Sequence, residues 1–263
     1  MKNAYLCTFF KYVRCMRIYK MNTFFSIVSG IILLFIQSEV WHALFKQGKQ
    51  VEATLGEAIT YMILSSILLK RIQLYPGHTL SKSVSSGDLA LELNKPISLI
   101  LFYTAQEAGK AFFRFIATAI PMFAFSVSFL GFLPPLNFTY FVLFLITSIL
   151  GLVILVLFDC ILGYSSFWVM NNWYIPRIES ALFIFFGGTT VPLWFYPQWI
   201  INICNVLPFR YITYDVINIY LGRITVVGVF KVIFMQLFWI LLLWIFERII
   251  WMKATKKIII QGG

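Results

Sequence analysis

Charge is scarce in this sequence: Asp, Glu, Lys and Arg make up only 12% of its 263 residues. A soluble domain averages about 25%, so the side chains that keep a folded surface in water are largely missing. Reactive clusters are missing as well. The two histidines, His42 and His78, show no H-E-x-x-H spacing, and Cys7, Cys15, Cys160 and Cys204 show no zinc-ligand spacing. The two Gly-Lys pairs, Gly48-Lys49 and Gly109-Lys110, are followed by Gln and Ala rather than Ser or Thr. No phosphate-cradling P-loop results, which excludes nucleotide hydrolysis by that route. The opening stretch MKNAYLCTFFKYVRCMRIYK alternates charge and oil, unlike the unbroken apolar core of a cleavable secretory signal.

What is present is oil. Hydrophobic residues make up 60% of the chain and aromatics 19%. A helix crossing roughly 30 Å of hydrocarbon needs about 20 apolar residues, and several runs qualify. The pattern predicts an all-α, polytopic membrane protein with six spans, near Thr23–Leu44, Leu55–Leu74, Arg114–Phe132, Asn137–Leu162, Ile178–Phe195 and Val226–Ile250. The second is the shortest in apolar content, and Lys70 and Arg71 must snorkel to the interface.

Orientation follows from lysine and arginine. With both termini inside, the outer segments hold only Lys46, Lys49, Arg210, Arg223 and Lys231, against sixteen basic residues in the cytoplasmic ones. That is the positive-inside bias, and it accounts for the net charge of +11 without nucleic acid as a partner. The two histidines then fall on opposite sides of the membrane. Only Cys204 faces outward, so the chain has no internal disulfide to make there.

Residues 1–21 form a cytoplasmic unit of their own, ahead of a single transmembrane domain, 22–263. Leu6, Phe9, Val13 and Met16 share one helical face, with Thr8, Lys11, Arg14 and Cys15 opposite. This describes an interfacial helix whose cations meet anionic membrane lipid, broken off near Lys20 and Asn22. On the outer side, residues 187–225 carry Pro192, Pro197 and Pro208 with Trp194 and Trp199. The stretch is too apolar for a solvated loop and too broken for a span, which suggests re-entrant or interfacial helices. Trp194, Tyr196, Trp199 and Tyr211 are expected at headgroup level.

Asp159 stands out as the one acid well inside a hydrophobic run. It is a candidate for the translocation path by default, or a structural residue near the cytoplasmic end of its span, within reach of Arg177. Glu39 is a second candidate, near the outer end of the first span. Glu107, Lys110 and Arg114 form one helical stripe, read as a surface ion network preceding the third span.

The cytoplasmic connection 75–98 is the polar exception. Ser85-x-x-Asp88 has capping-box form, Asp88 and Glu92 suit a helix start, and Pro96 stops it. Leu89 and Leu93 then make an apolar edge outside the bilayer, which calls for a partner. The order SGDLALELNKPIS resembles the loop between the second and third spans of type-2 ABC exporter permeases. The matching residues are Gly87, Asp88, Leu89, Leu93, Lys95 and Pro96, with Ser86 and Leu91 in the same stretch. A second resemblance to that family lies in the outer segment, carried by Gly188, Pro192, Leu193, Pro197, Trp199, Leu207, Pro208, Phe209, Leu221 and Gly222.

The resemblance implies a permease that binds no cofactor itself and pairs with an identical or sister permease. It recruits two cytosolic ATPase subunits, which bring ATP and Mg. The loop 86–96 is expected to seat a coupling helix in the ATPase. Export of a hydrophobic or amphiphilic cargo (a peptide, lipid-like molecule or drug) across a bacterial cell membrane is the expected activity, and catalysis by this chain is not. Lys95 stands where arginine is commoner in the family, which keeps the charge but not the bidentate geometry. The alternative is a carrier or channel independent of ATP, which calls for inverted repeats or several intramembrane ionisable residues.

Overall fold

Every regular element among the described residues is helical, the form apolar runs take when backbone N–H and C=O groups must be satisfied within the segment. The computed structural model describes residues 2–46, 53–72, 75–87, 98–169 and 175–256. In chain order the helices are α1 (Lys2–Met16), α2 (Lys20–Lys46), α3 (Leu55–Ile72), α4 (Pro76–Ser86), α5 (Leu99–Phe129) and α6 (Phe138–Gly163). They continue as α7 (Ile175–Phe186), α8 (Gln198–Val206), α9 (Tyr214–Tyr220) and α10 (Val226–Thr255). Short 3₁₀ turns lie at Tyr164–Phe167, Leu193–Phe195 and Phe209–Ile212.

Among the described residues, four helices are long and apolar enough to cross a membrane: Lys20–Lys46, Leu99–Phe129, Phe138–Phe167 and Val226–Ala254. Leu55–Leu68 is a shorter apolar helix. This is a multi-pass membrane protein.

Two expected spans differ from the helices found. The third, expected from Arg114, begins at Leu99 and runs unbroken for 31 residues through Pro121. Glu107, Lys110 and Arg114 therefore lie inside this helix rather than before it. No proline or turn interrupts their stripe, and the charges meet one another. The fifth, expected over Ile178–Phe195, stops at Phe186. Gly187 and Gly188 break it, with Gly188 in the left-handed region at φ +63°. Its 12 described residues rise about 18 Å.

The α1 helix forms as expected, and the chain breaks at residues 17–19, just ahead of α2. It packs along α5. Gly109 provides the close approach: a Cβ there would collide with the Phe9 carbonyl. Phe9 meets Phe112 at 5.6 Å between ring centroids, and the Lys110 ammonium sits 5.1 Å from the Tyr12 ring centre. Leu6 and Phe10 remain exposed, one turn apart and available to lipid.

The α3 helix is central. Residues Ala58 to Ser65 are all buried. One side joins Leu34 and Trp41 of α2 and Met122 of α5. The other joins Phe144 of α6 with Val216, Ile217 and Tyr220 of α9. A reciprocal capping box starts this helix: Thr54 N–H donates to Glu57 at 2.8 Å, and Glu57 N–H donates to the Thr54 hydroxyl at 3.3 Å.

Candidate functional site

The connection 75–98 opens with α4, a helix that precedes the stretch where one was expected. Pro76 opens it, with the φ a first helical turn wants and no N–H to leave unsatisfied. Tyr75 precedes it and supplies no side-chain cap. The next donors need a partner, and it comes from α6. Gly77 N–H donates to Asp159 Oδ2 at 2.6 Å, and His78 N–H donates to the same carboxylate. A carboxylate at a helix N-terminus is favoured by the dipole, and charge-assisted bonds of this kind are worth about 1.5–3 kcal/mol.

The backbones of α4 and α6 touch there. A Cβ on Gly77 would collide with the Asp159 carbonyl, and one on Gly163 with Gly77 itself. Further along α4, the Thr79 hydroxyl donates to Glu107 of α5 at 2.9 Å. Lys110 pairs with the same Glu107 at 2.7 Å and Arg114 lies 3.9 Å away. Leu80 completes the seat against Leu99, Tyr103, Cys160 and Tyr164. The α4 helix is thus held between α5 and α6 by two buried carboxylates, Glu107 and Asp159. The His78 imidazole is pulled below its ordinary pKa, first by partial burial and then by Lys82.

The other end of α4 is open. Ser86 and Gly87 are exposed, and Gly87 caps the helix in the left-handed conformation at φ +81°. A Cβ on it would meet nothing within 4 Å. The capping-box reading is corrected here: Ser85 lies in the last turn of α4, not at the start of a later helix. A glycine two residues beyond a serine can end a helix as well as precede one, and α4 supplies the helix that Gly87 ends. Asp88, Leu89, Leu91, Leu93, Lys95 and Pro96 lie outside the described residues.

Asp159 is not alone among buried acids, as its sequence context suggested. Glu107, Glu179, Asp215 and Glu247 are buried too. Glu179 of α7 faces Asp159, and neither of its oxygens meets a hydrogen-bond donor. Glu247 of α10 accepts from the Tyr164 hydroxyl at 2.5 Å. Asp159 is only 1% exposed, so it is enclosed by helices. Glu39, in contrast, is exposed, on the rim of a groove of about 530 Å³ shared with His42 and Phe129.

Residues 187–225 fold back onto the helices. The Tyr61 hydroxyl of α3 donates to the Gly188 carbonyl at 2.7 Å, and Ser65 donates to the Thr189 carbonyl. Trp194 meets Tyr61 edge-to-face at 5.0 Å between ring centroids, with the Arg223 guanidinium 4.6 Å from the Trp194 ring centre. Arg223 also lies 3.6 Å from Glu57. Pro192, Pro208 and Phe209 are buried, Pro197 is exposed, and Trp199 is 66% exposed. Of the expected headgroup aromatics, Trp199 is exposed, whereas Tyr211 is buried with its hydroxyl on the Asn205 carbonyl at 3.1 Å.

Three polar residues that hold this segment were not singled out from the sequence. Arg210 makes a bidentate pair with Asp215, at 2.8 and 2.7 Å, and also donates to Asn205. Burial pushes the Asp215 carboxyl up, and the guanidinium opposes that. Gln236 of α10 donates to the Tyr211 carbonyl at 2.7 Å and the Thr147 carbonyl at 2.9 Å. A glutamine in the middle of an apolar run was a visible signal for such a role.

The described residues contain no group of three or more His, Cys, Asp or Glu side chains placed to hold a metal ion. No curated protein matches the chain. Residues 31–262 match the family described as ABC-2 family transporter protein. That match takes in both helices that clamp α4, α4 itself and residues 187–225, and the chain therefore belongs to the ABC-2 family of transporter proteins.

Proposed function

We propose that this permease subunit exports a hydrophobic or amphiphilic cargo, driven by ATP hydrolysis in a separate cytosolic subunit. The carrying observation is α4. It is seated between α5 and α6 at one end and exposed at Gly87 at the other. From that exposed end the chain enters Asp88–Pro96, with Leu89 and Leu93 four residues apart. Such a stretch suits a short coupling helix whose apolar edge docks in the ATPase. A push on it would reach the spans through α4.

The same reading has six passes, both termini in the cytoplasm and residues 187–225 tucked into the outer half of a bacterial cell membrane. Two permeases, identical or sister chains, would pair with two ATPases that hold the ATP and Mg. The buried position of Asp159 supports a holding role over a place on the cargo path.

The test is co-purification. The tagged chain, extracted from its own membrane, should bring down a subunit bearing G-x-x-x-x-G-K-[ST]. The double variant Leu89→Asp/Leu93→Asp should insert normally and lose that subunit. Retention of the ATPase by the double variant would remove the coupling-helix assignment.

A further inference from the structure

We propose that Asp159 is a positioning residue for energy coupling: its carboxylate pins the first turn of α4 to α6, so that α4 pivots there when its open end is pushed. The proposal rests on the ATP-driven reading above and deepens it.

The two ends of α4 differ in kind. At the first turn, Gly77 and His78 N–H groups converge on one carboxylate from a helix 82 positions away in sequence. Glycine faces glycine there, so the backbones leave no room to slide. At the last turn, Ser86 and Gly87 are exposed and Gly87 touches nothing a side chain would meet. The 11 residues between span about 16 Å. The helix is seated through Leu80 by Asp159, Glu107 and the apolar cluster, and exposed at its last turn. It passes displacement of the exposed end back to that seat, where the Asp159 pin is the fixed point.

That displacement has somewhere to go. The Asp159 carboxylate belongs to α6, whose following turn, Tyr164–Phe167, bonds α10 through Tyr164 and Glu247. Further along α6, Gly151 packs on the backbone of Ile212, and Thr147 shares Gln236 with Tyr211. One continuous helix thus runs from the pivot to the outer segment.

Glu179 explains itself in this setting. It is 1% exposed, its oxygens meet no donor, and it faces Asp159. Two carboxyl groups facing each other away from water are tolerated when they hold one proton between them. Glu179 then donates to Asp159 and keeps its carboxyl group aimed at α4. A glutamine amide can do the same, so Glu179→Gln should be silent where Asp159→Asn is not. Asn presents one carbonyl and no charge to the two N–H groups.

The experiment has two arms, both read by hydrogen exchange in lipid nanodiscs. In the isolated chain, Asp159→Asn should speed exchange of the Gly77 and His78 amides by about tenfold or more, as loss of a charge-assisted bond allows. Glu179→Gln should stay near wild type. In the complex with its ATPase, ATP plus vanadate should change exchange across residues 198–206 in wild type and in Glu179→Gln. Asp159→Asn should keep the ATPase bound and lose that response. An unchanged amide rate in the first arm, or a full nucleotide response from Asp159→Asn in the second, overturns the proposal. A wild-type chain that binds no ATPase overturns the reading beneath it instead, and with it the coupling role.

Discussion

The Tyr61 hydroxyl donates to the Gly188 carbonyl across 127 positions of sequence, at 2.7 Å and fully buried. This bond ties the central helix α3 to the point where α7 breaks. Gly188 is left-handed there, so its carbonyl turns out of the helix and has no intrahelical donor. Replacing Tyr61 with Phe leaves that carbonyl unpaired among apolar side chains. The expected loss is about 1–3 kcal/mol, seen as a lower melting temperature in detergent with the fold retained.

Gln236 serves two carbonyls at once, Tyr211 and Thr147. Gln236→Leu removes both donors while keeping the size of the side chain. Each abandoned carbonyl costs about 1–3 kcal/mol, so this variant should lose more stability than Tyr61→Phe. Gln236→Glu offers no better remedy, because a carboxylate has no donor to give. Thermal unfolding of the three proteins under one set of conditions checks the order.

Gly77 and Gly87 sit at opposite ends of α4 and should respond differently to alanine. At Gly77 a methyl group runs into the Asp159 backbone, which cannot move without shifting α6. At Gly87 there is open space, and only the left-handed backbone at φ +81° resists, at about 1–3 kcal/mol. Gly77→Ala should therefore fail to give a stable, monodisperse protein. Gly87→Ala should purify normally with a modestly lower melting temperature. Equal behaviour of the two would contradict the close contact between α4 and α6.

Acid should weaken the protein partly through His78. Its pKa is lowered in the folded state by partial burial, then by Lys82, so the unfolded chain binds the proton more readily. Stability is then retained above the ordinary histidine pKa, about 6.5, and declines as pH falls through and below it. The drop in melting temperature from pH 7.5 to 5.5 should be smaller in His78→Gln than in wild type.

Much of this architecture was legible in the sequence, because hydrocarbon thickness imposes run lengths that composition reveals. The first, fourth and sixth spans were found to within a few residues. The third was cut short because the stripe of Glu107, Lys110 and Arg114 reads as a surface ion network. Inside the helix Glu107 pairs with both cations and accepts from Thr79. The fifth was drawn too long because hydropathy does not register the break at Gly187-Gly188. The α4 helix was overlooked since its sequence, PGHTLSKSVSS, has weak helix formers and takes its stability from α5 and α6. Asp159 was recognised as unusual, but its partners are backbone N–H groups, which carry no signature in sequence. Glu179 became visible only when α7 was packed against α6.

The central claim, that ATP hydrolysis elsewhere drives this chain through the loop after α4, is tested most directly by hydrolysis in the purified complex. Affinity-purified wild type in nanodiscs should hydrolyse ATP, and the Leu89→Asp/Leu93→Asp protein, inserted to the same level, should not. Equal hydrolysis by the two preparations, or none in either, would contradict the account.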